Sequence, residues 1–174
     1  MKRSAGTVLR GLAPIIDERS RILILGTMPG PVALARRQYY GFPGNHFWKV
    51  LPAVLGEPAV EAYPARLELL RRHHIALWDV LKTCRREGAL DAEIRDGVPN
   101  DLPALIAAHP AIGAVFLNGR LAERLYRRWF GGHLHLPVRT LPSTSPAHAS
   151  QSLDRKIDAW RAILPALTPY RPWC

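Results

Sequence analysis

Residues 21–27, RILILGT, are an apolar run that stops at a glycine, and the pattern recurs along the chain. IALWDVL (75–81) ends in a lysine- and cysteine-bearing turn, and IGAVFLNG (112–119) stops at Asn118-Gly119. A fourth, shorter run precedes PSTSP within LPVRTLPSTSPAHAS (136–150). Each run has the length and apolar content of a strand buried on both faces. Between them lie segments with helical spacing. NHFWKVLPAVLG turns Phe47, Val50, Leu51, Val54 and Leu55 to one side, with Asn45 as the expected N-cap. DLPALIAAHP is capped by Asp101, RLAERLYRRWF is basic and amphipathic, and SLDRKIDAWRAILPAL opens on Ser152. Strands that alternate with helices require crossover connections, and so a mostly parallel sheet with helices on both faces. CRREGALDAEIRDGVPNDL is polar and turn-rich and reads as an excursion from the core, with Lys82, Arg85 and Arg86 as a charged face.

The 174 residues show no repeats and no linker, which predicts a single domain over residues 1–174. No apolar run approaches the roughly 20 residues of a membrane span. The N-terminus lacks the apolar stretch of a secretion signal, so the expected compartment is the cytoplasm. Cys84 and Cys174 are too few for a disulfide framework or a four-cysteine metal site, and no metal-ligand spacing appears. Lys and Arg outnumber Asp and Glu 24 to 14, a formal charge of +10 that suits a polyanionic partner.

In an open parallel sheet, ligands sit beyond the carboxyl ends of the strands. GTMPG, WDVLKTC, LNGR and LPSTSPAHA all fall there. GTMPG offers backbone N–H groups and close approach at Gly26, Thr27 and Met28, but it has neither the lysine of a P-loop nor dinucleotide glycine spacing. QYYGFPGNHFW (38–48) places six aromatic or imidazole rings around two glycines and a proline, a composition suited to stacking a nucleobase. Tyr40 lies off the helical stripe and is the candidate platform. Phe47 and Trp48 fit the buried face of the following helix, although the Phe47 ring is also a candidate wall for a base. Ser143, Thr144 and Ser145 sit in a proline-stiffened loop able to grip phosphate. His148 follows them. Asp79 is a candidate hydrogen-bond acceptor or cation stabiliser, with a cap or an arginine partner as its plain structural role. Asn118 is read as a support for the neighbouring loop or a ligand contact.

Taken together and in this order, ILILGTMPG, QYYGFPGNHFWKVL and LPSTSPAHA resemble the uracil-DNA glycosylase superfamily. YYxxPxNxFW and ALWDVLKTCRREGALD look most like its hypoxanthine-DNA glycosylase branch. The resemblance implies a three-layer α/β/α sandwich around a mostly parallel four-stranded sheet. It also implies a monofunctional N-glycosylase without metal or cofactor, whose partner is DNA carrying deaminated bases; nothing in the sequence suggests more than a monomer. Met28 stands where many relatives carry a carboxylate or amide, and Leu141 where several carry His or Asn. A thioether moves no proton. The hypoxanthine branch shares this apolar first loop and is credited with using the Asn of its PxNxFW segment instead, so the resemblance implies Asn45 as the catalytic residue, which would orient water or bond the base. Gly26, Thr27, Met28, Tyr40, Phe47, Asp79 and Asn118 would surround that base. Ser143, Thr144, Ser145 and His148 would meet DNA. The competing readings are a uracil or mismatch-uracil glycosylase of the same fold, a DNA-binding relative without activity, and a nucleotide-hydrolysing α/β enzyme. The last would need an acidic metal cluster.

Overall fold

The computed structural model describes residues 7–169. Cys174 and the first six residues, used above for the cysteine and compartment expectations, lie outside that range. Strands β2 (Ile22–Gly26), β3 (Ile75–Asp79), β6 (Ala114–Asn118) and β7 (Val138–Leu141) form a sheet in the order β3-β2-β6-β7. All three pairings are parallel. Crossovers from one parallel strand to the next require the helices that the sequence pattern predicts.

The alternation within β2 builds the layers. Ile22 and Ile24 enter one core with Phe47, Leu51, Leu70 and Trp160. Leu23 and Leu25 enter the other with Leu102, Ala122, Tyr126 and Phe130. The first layer is α2 (Phe47–Leu55), α3 (Tyr63–Arg72) and α6 (Leu153–Trp160). The second is α4 (Leu102–Ala108) and α5 (Arg120–Phe130). α1 (Pro31–Arg36) follows the first loop, and α7 (Leu164–Leu167) closes the described chain. Asp101 and Ser152 accept the capping N–H groups of Ala104 and Arg155, as their positions predict. None of the described helices is long and apolar enough to cross a membrane.

Two expectations need correction. IALWDVL is not one strand: the chain leaves the parallel sheet after Asp79 and enters a second sheet at Leu81. The polar excursion is largely ordered by that second sheet. β4 (Leu81–Arg85) pairs antiparallel with β1 (Val8–Arg10) on one side and with β5 (Arg95–Pro99) on the other. Backbone partners explain the crossing. Val80 donates to the Gly26 carbonyl (2.9 Å), while the Val80 carbonyl accepts from Asn100 (2.8 Å), so one residue serves both sheets. Met28, Leu81 and Cys84 pack together and join the first loop to the small sheet.

Trp160 ties the core to the late loop. Its fully buried ring meets Phe47 edge-on at 5.7 Å, and its Nε1–H donates to the Pro142 carbonyl at 2.9 Å. Trp160→Ala should therefore cost about 3–5 kcal/mol, read as a lower midpoint in urea denaturation. An unchanged midpoint would exclude α6 from the cooperative core.

Candidate active site

A cavity of about 780 Å³ opens at the carboxyl ends of the parallel strands. Gly26 to Pro31 form one wall and Asn118 to Leu121 another; Ser143 to His148 close the top. Tyr40, Phe42 and Asn45 come from the aromatic segment, and Asp79 from the end of β3. Ala89, Leu90 and Asp91 of the polar excursion complete it. All four predicted loops thus reach one space, although WDVLKTC contributes only Asp79. The excursion residues escaped the sequence reading, because periodicity carries no information on where a polar hairpin folds back.

Gly26 is required by close approach. A Cβ there would overlap the Asp79 carboxylate oxygen Oδ1 and stand 3.2 Å from the Tyr40 hydroxyl. Gly119, at φ +99, is required twice over: its backbone is left-handed, and a Cβ would lie 2.9 Å from Cβ of Ser143. Met28 is 6% exposed and packs on Leu81 and Cys84 while facing the cavity. Met28 is thus an apolar anchor of the first loop.

Asn45 holds a defined orientation. It is not the expected N-cap, which is His46 without a side-chain cap bond. Asn45 stands one residue earlier, its Oδ1 accepts from the Phe47 N–H at 2.9 Å in a local turn, and its NH₂ group is left for other partners. An N–H donor can be satisfied only by the amide oxygen, which fixes the flip. Tyr40 adopts a left-handed backbone (φ 53) and stacks on Phe47 at 3.9 Å and 15°. Phe47 is completely buried and does not border the cavity. It is therefore corrected from a base contact to the backing of Tyr40, because the helical stripe that carries it faces the core.

Asn118 holds three pieces of chain together. Its Nδ2 donates to the Tyr40 hydroxyl (3.2 Å) and to Thr144 Oγ1 (2.9 Å); its Oδ1 accepts from the Thr144 N–H (3.0 Å). Both donor protons are consumed, so the amide braces the walls rather than reading a ligand. Thr144 is likewise corrected: it is fully buried with its hydroxyl turned inward to Asn118, and it presents no group to a phosphate. Ser143 and Ser145 are partly exposed, and their hydroxyl oxygens accept from the N–H groups of Ser145 and Ala147, two successive turns. His148 borders the cavity, and its carbonyl accepts from the buried Lys156 ammonium at 3.0 Å. Burial lowers the Lys156 pKa. His46 adds a backbone bond to the Thr144 carbonyl at 2.9 Å.

Asp79 is 4% exposed, and its Oδ2 is buried without a hydrogen-bond partner. Burial, reinforced by the negative charge of Asp91, pushes its carboxyl pKa up to about 7. Neither the cap nor the arginine partner weighed from the sequence is present among the described residues. Burial also raises the Tyr40 hydroxyl, which stays neutral. Arg86 is not a solvated face: it is 6% exposed and donates from Nη2 to the Pro29 carbonyl at 2.7 Å, clamping the first loop. Among the described residues no group of three His, Cys, Asp or Glu side chains is placed to hold a metal ion, so the acidic cluster that a nucleotide-hydrolysing enzyme needs is not assembled.

The chain is similar to known proteins in sequence and fold. The family model of the uracil DNA glycosylase superfamily matches residues 13–168. A hypoxanthine DNA glycosylase of Methanosarcina barkeri is 44% identical over 112 residues, covering 64% of this chain and 71% of that protein. One from Methanosarcina acetivorans is 36% identical over 157 residues, covering 90% and 98%. The solution structure of a Methanosarcina acetivorans protein provisionally assigned as a uracil DNA glycosylase superposes with a TM-score of 0.79 at 34% identity, covering 92% of this chain and 99% of that one. With its parallel sheet, its loop-built cavity and this match over nearly all the described residues, the chain belongs to the uracil DNA glycosylase superfamily.

Proposed function

We propose that this protein is a monofunctional DNA N-glycosylase that flips hypoxanthine out of DNA and hydrolyses its bond to deoxyribose, leaving an abasic site. It would act through one domain, as a monomer, in the cytoplasm. The observation that carries the reading is the cavity: the Tyr40 ring, the oriented Asn45 amide and the backbone of Gly26 to Met28 border a space large enough for a base. Two curated relatives named hypoxanthine DNA glycosylase favour that base over uracil.

The chemistry fits what the walls offer. Glycosidic cleavage passes through an oxocarbenium-like sugar, so water needs placement more than a strong base. Met28 supplies neither proton nor acceptor. One lone pair of Asn45 Oδ1 is held by Phe47, which leaves the second to accept from a water beside C1′ and the NH₂ to donate to the base. Tyr40, braced behind by Phe47, offers a flat surface for stacking. Flipping costs a few kcal/mol, less for a mispaired base. The +10 charge and phosphate contacts at Ser143, Ser145, His148 and Arg120 would offset that cost.

On an oligonucleotide containing deoxyinosine, Asn45→Ala should lower single-turnover base release, revealed by alkali cleavage, by at least about 10²-fold. It should also cost about 1 kcal/mol by loss of the bond to the Phe47 N–H. Asn45→Asp keeps the acceptor for the Phe47 N–H but loses the NH₂ donor to the base, so it should recover the stability without the rate. Wild-type release from Asn45→Ala would remove Asn45 from the mechanism. No release from hypoxanthine or uracil oligonucleotides, with salt-sensitive binding intact, would leave a DNA-binding module.

Arg120 opens α5 at the cavity edge and is exposed. If it meets a phosphate, Arg120→Ala should weaken binding similarly on every sequence and reduce the salt slope of log K by about 1. Titration by fluorescence anisotropy at several salt concentrations checks this, and an unchanged slope would place the phosphate path elsewhere.

A further inference from the structure

We infer that Asp79 is a catalytic acid of this site: its carboxyl group gives a proton to a ring nitrogen of the leaving purine as the glycosidic bond breaks. The inference rests on the base-excision reading above and adds the group that makes the purine a good leaving group.

Asp79 is the last residue of β3 and lies in register with Gly26 at the end of β2. The missing Cβ of Gly26 is the room its carboxyl occupies. The carboxyl therefore sits at the cavity floor, beside the Tyr40 hydroxyl, with Oδ2 buried and unpartnered. No arginine or lysine pairs with it among the described residues. An unpaired buried acid is costly, and such groups concentrate where they do chemistry.

The groups that face it decide its protonation. Tyr40 and Tyr39 approach from the segment after α1, and both hydroxyls stay neutral. Asp91 acts on it from the turn between β4 and β5, and the charge of Arg86 acts on Asp91. Arg120 and His148 border the same cavity from α5 and the late loop. Burial dominates, with Asp91 adding to it, and the pKa near 7 keeps a protonated population at neutral pH. An acid whose pKa matches the working pH transfers a proton most effectively.

Hypoxanthine suits such a donor. Attached through N9, it carries unprotonated nitrogens at N3 and N7, and protonation of either lets it depart as a neutral base. The C1′–N9 bond breaks and its electron pair moves into the purine. The O–H bond of the Asp79 carboxyl breaks and the proton passes to the ring nitrogen. The oxygen of the water beside Asn45 bonds to C1′, and the proton that water sheds returns through solvent to the Asp79 carboxylate. The products are neutral hypoxanthine and an abasic sugar bearing a hydroxyl.

The test is single-turnover release of hypoxanthine from DNA by the full chain, as wild type and Asp79→Asn, from pH 5.5 to 9. The wild-type rate should be level at low pH and fall about tenfold per pH unit above about 7. Asp79→Asn should be slower by about 10²- to 10⁴-fold with no such fall. A variant within threefold of wild type, or one that keeps the alkaline fall, would overturn the assignment while leaving the glycosylase reading intact. A wild type that releases no hypoxanthine at any pH would overturn the substrate reading, and this assignment with it. Thermal unfolding supplies the control for folding and a second readout. The folded-state pKa lies above the ordinary 3.8, so the wild type should lose stability as pH rises from about 4 to 7. The Asn variant should lack that loss and unfold later than wild type at pH 8. Parallel stability–pH profiles for wild type and the Asn variant would show that Asp79 does not titrate as the mechanism requires.

Discussion

β2 is buried on both faces and paired on both edges, and the rest of the molecule is arranged around that constraint. Four successive apolar side chains, each contributing about 1.5–3 kcal/mol by burial, need two separate helical layers to cover them. Only parallel neighbours joined through helices supply both layers, as β3 and β6 do. Parallel strands end at the same edge, so Gly26, Asp79 and Asn118 arrive together although they are far apart in the chain.

Polar bonds then shape what hydrophobic burial has gathered. The Asn118 amide fastens the late loop and Tyr40 to the end of β6, and Trp160 and Lys156 hold the same loop from α6. Arg86 fastens the first loop from the small sheet. The loops that must meet DNA are thereby tied to rigid elements at several points, which limits the reorganisation needed once a base is bound. The buried charges carry a desolvation cost, and Lys156 and Arg86 each recover part of it through a backbone carbonyl.

Asp79 has no such compensation. Its position follows from the change of sheet at Val80: the last residue of β3 is the final one still in register with β2, so its side chain meets Gly26 before the chain departs into β4. The small sheet, which carries no part of the main core, brings Asp91 close enough to shift this carboxyl further. A peripheral element in this way tunes a group at the centre of the cavity.

Much of the fold was legible because it rests on local chemistry. Apolar runs of strand length, the Asp101 and Ser152 caps, and the stripe through Phe47, Val50, Leu51 and Val54 all report their own burial. The candidate loops could be read because parallel strands send their carboxyl-end loops to one side. The antiparallel sheet could not, because β4 and β5 are polar, irregular in register and stabilised by partners distant in sequence. Nor could the sequence separate the Tyr40 ring that borders the cavity from the Phe47 ring behind it, or the braced Thr144 from its exposed serine neighbours. What the sequence determined by itself was periodicity and chemical type: which segments form the buried parallel strands and their helices, and which side chains can stack, bond or carry charge. Tertiary structure alone decided which of those groups are saturated and which remain unpartnered, as Asn118 and Asp79 show. Hydrogen-bond partners and desolvation depend on packing across the whole fold, and no local pattern encodes them.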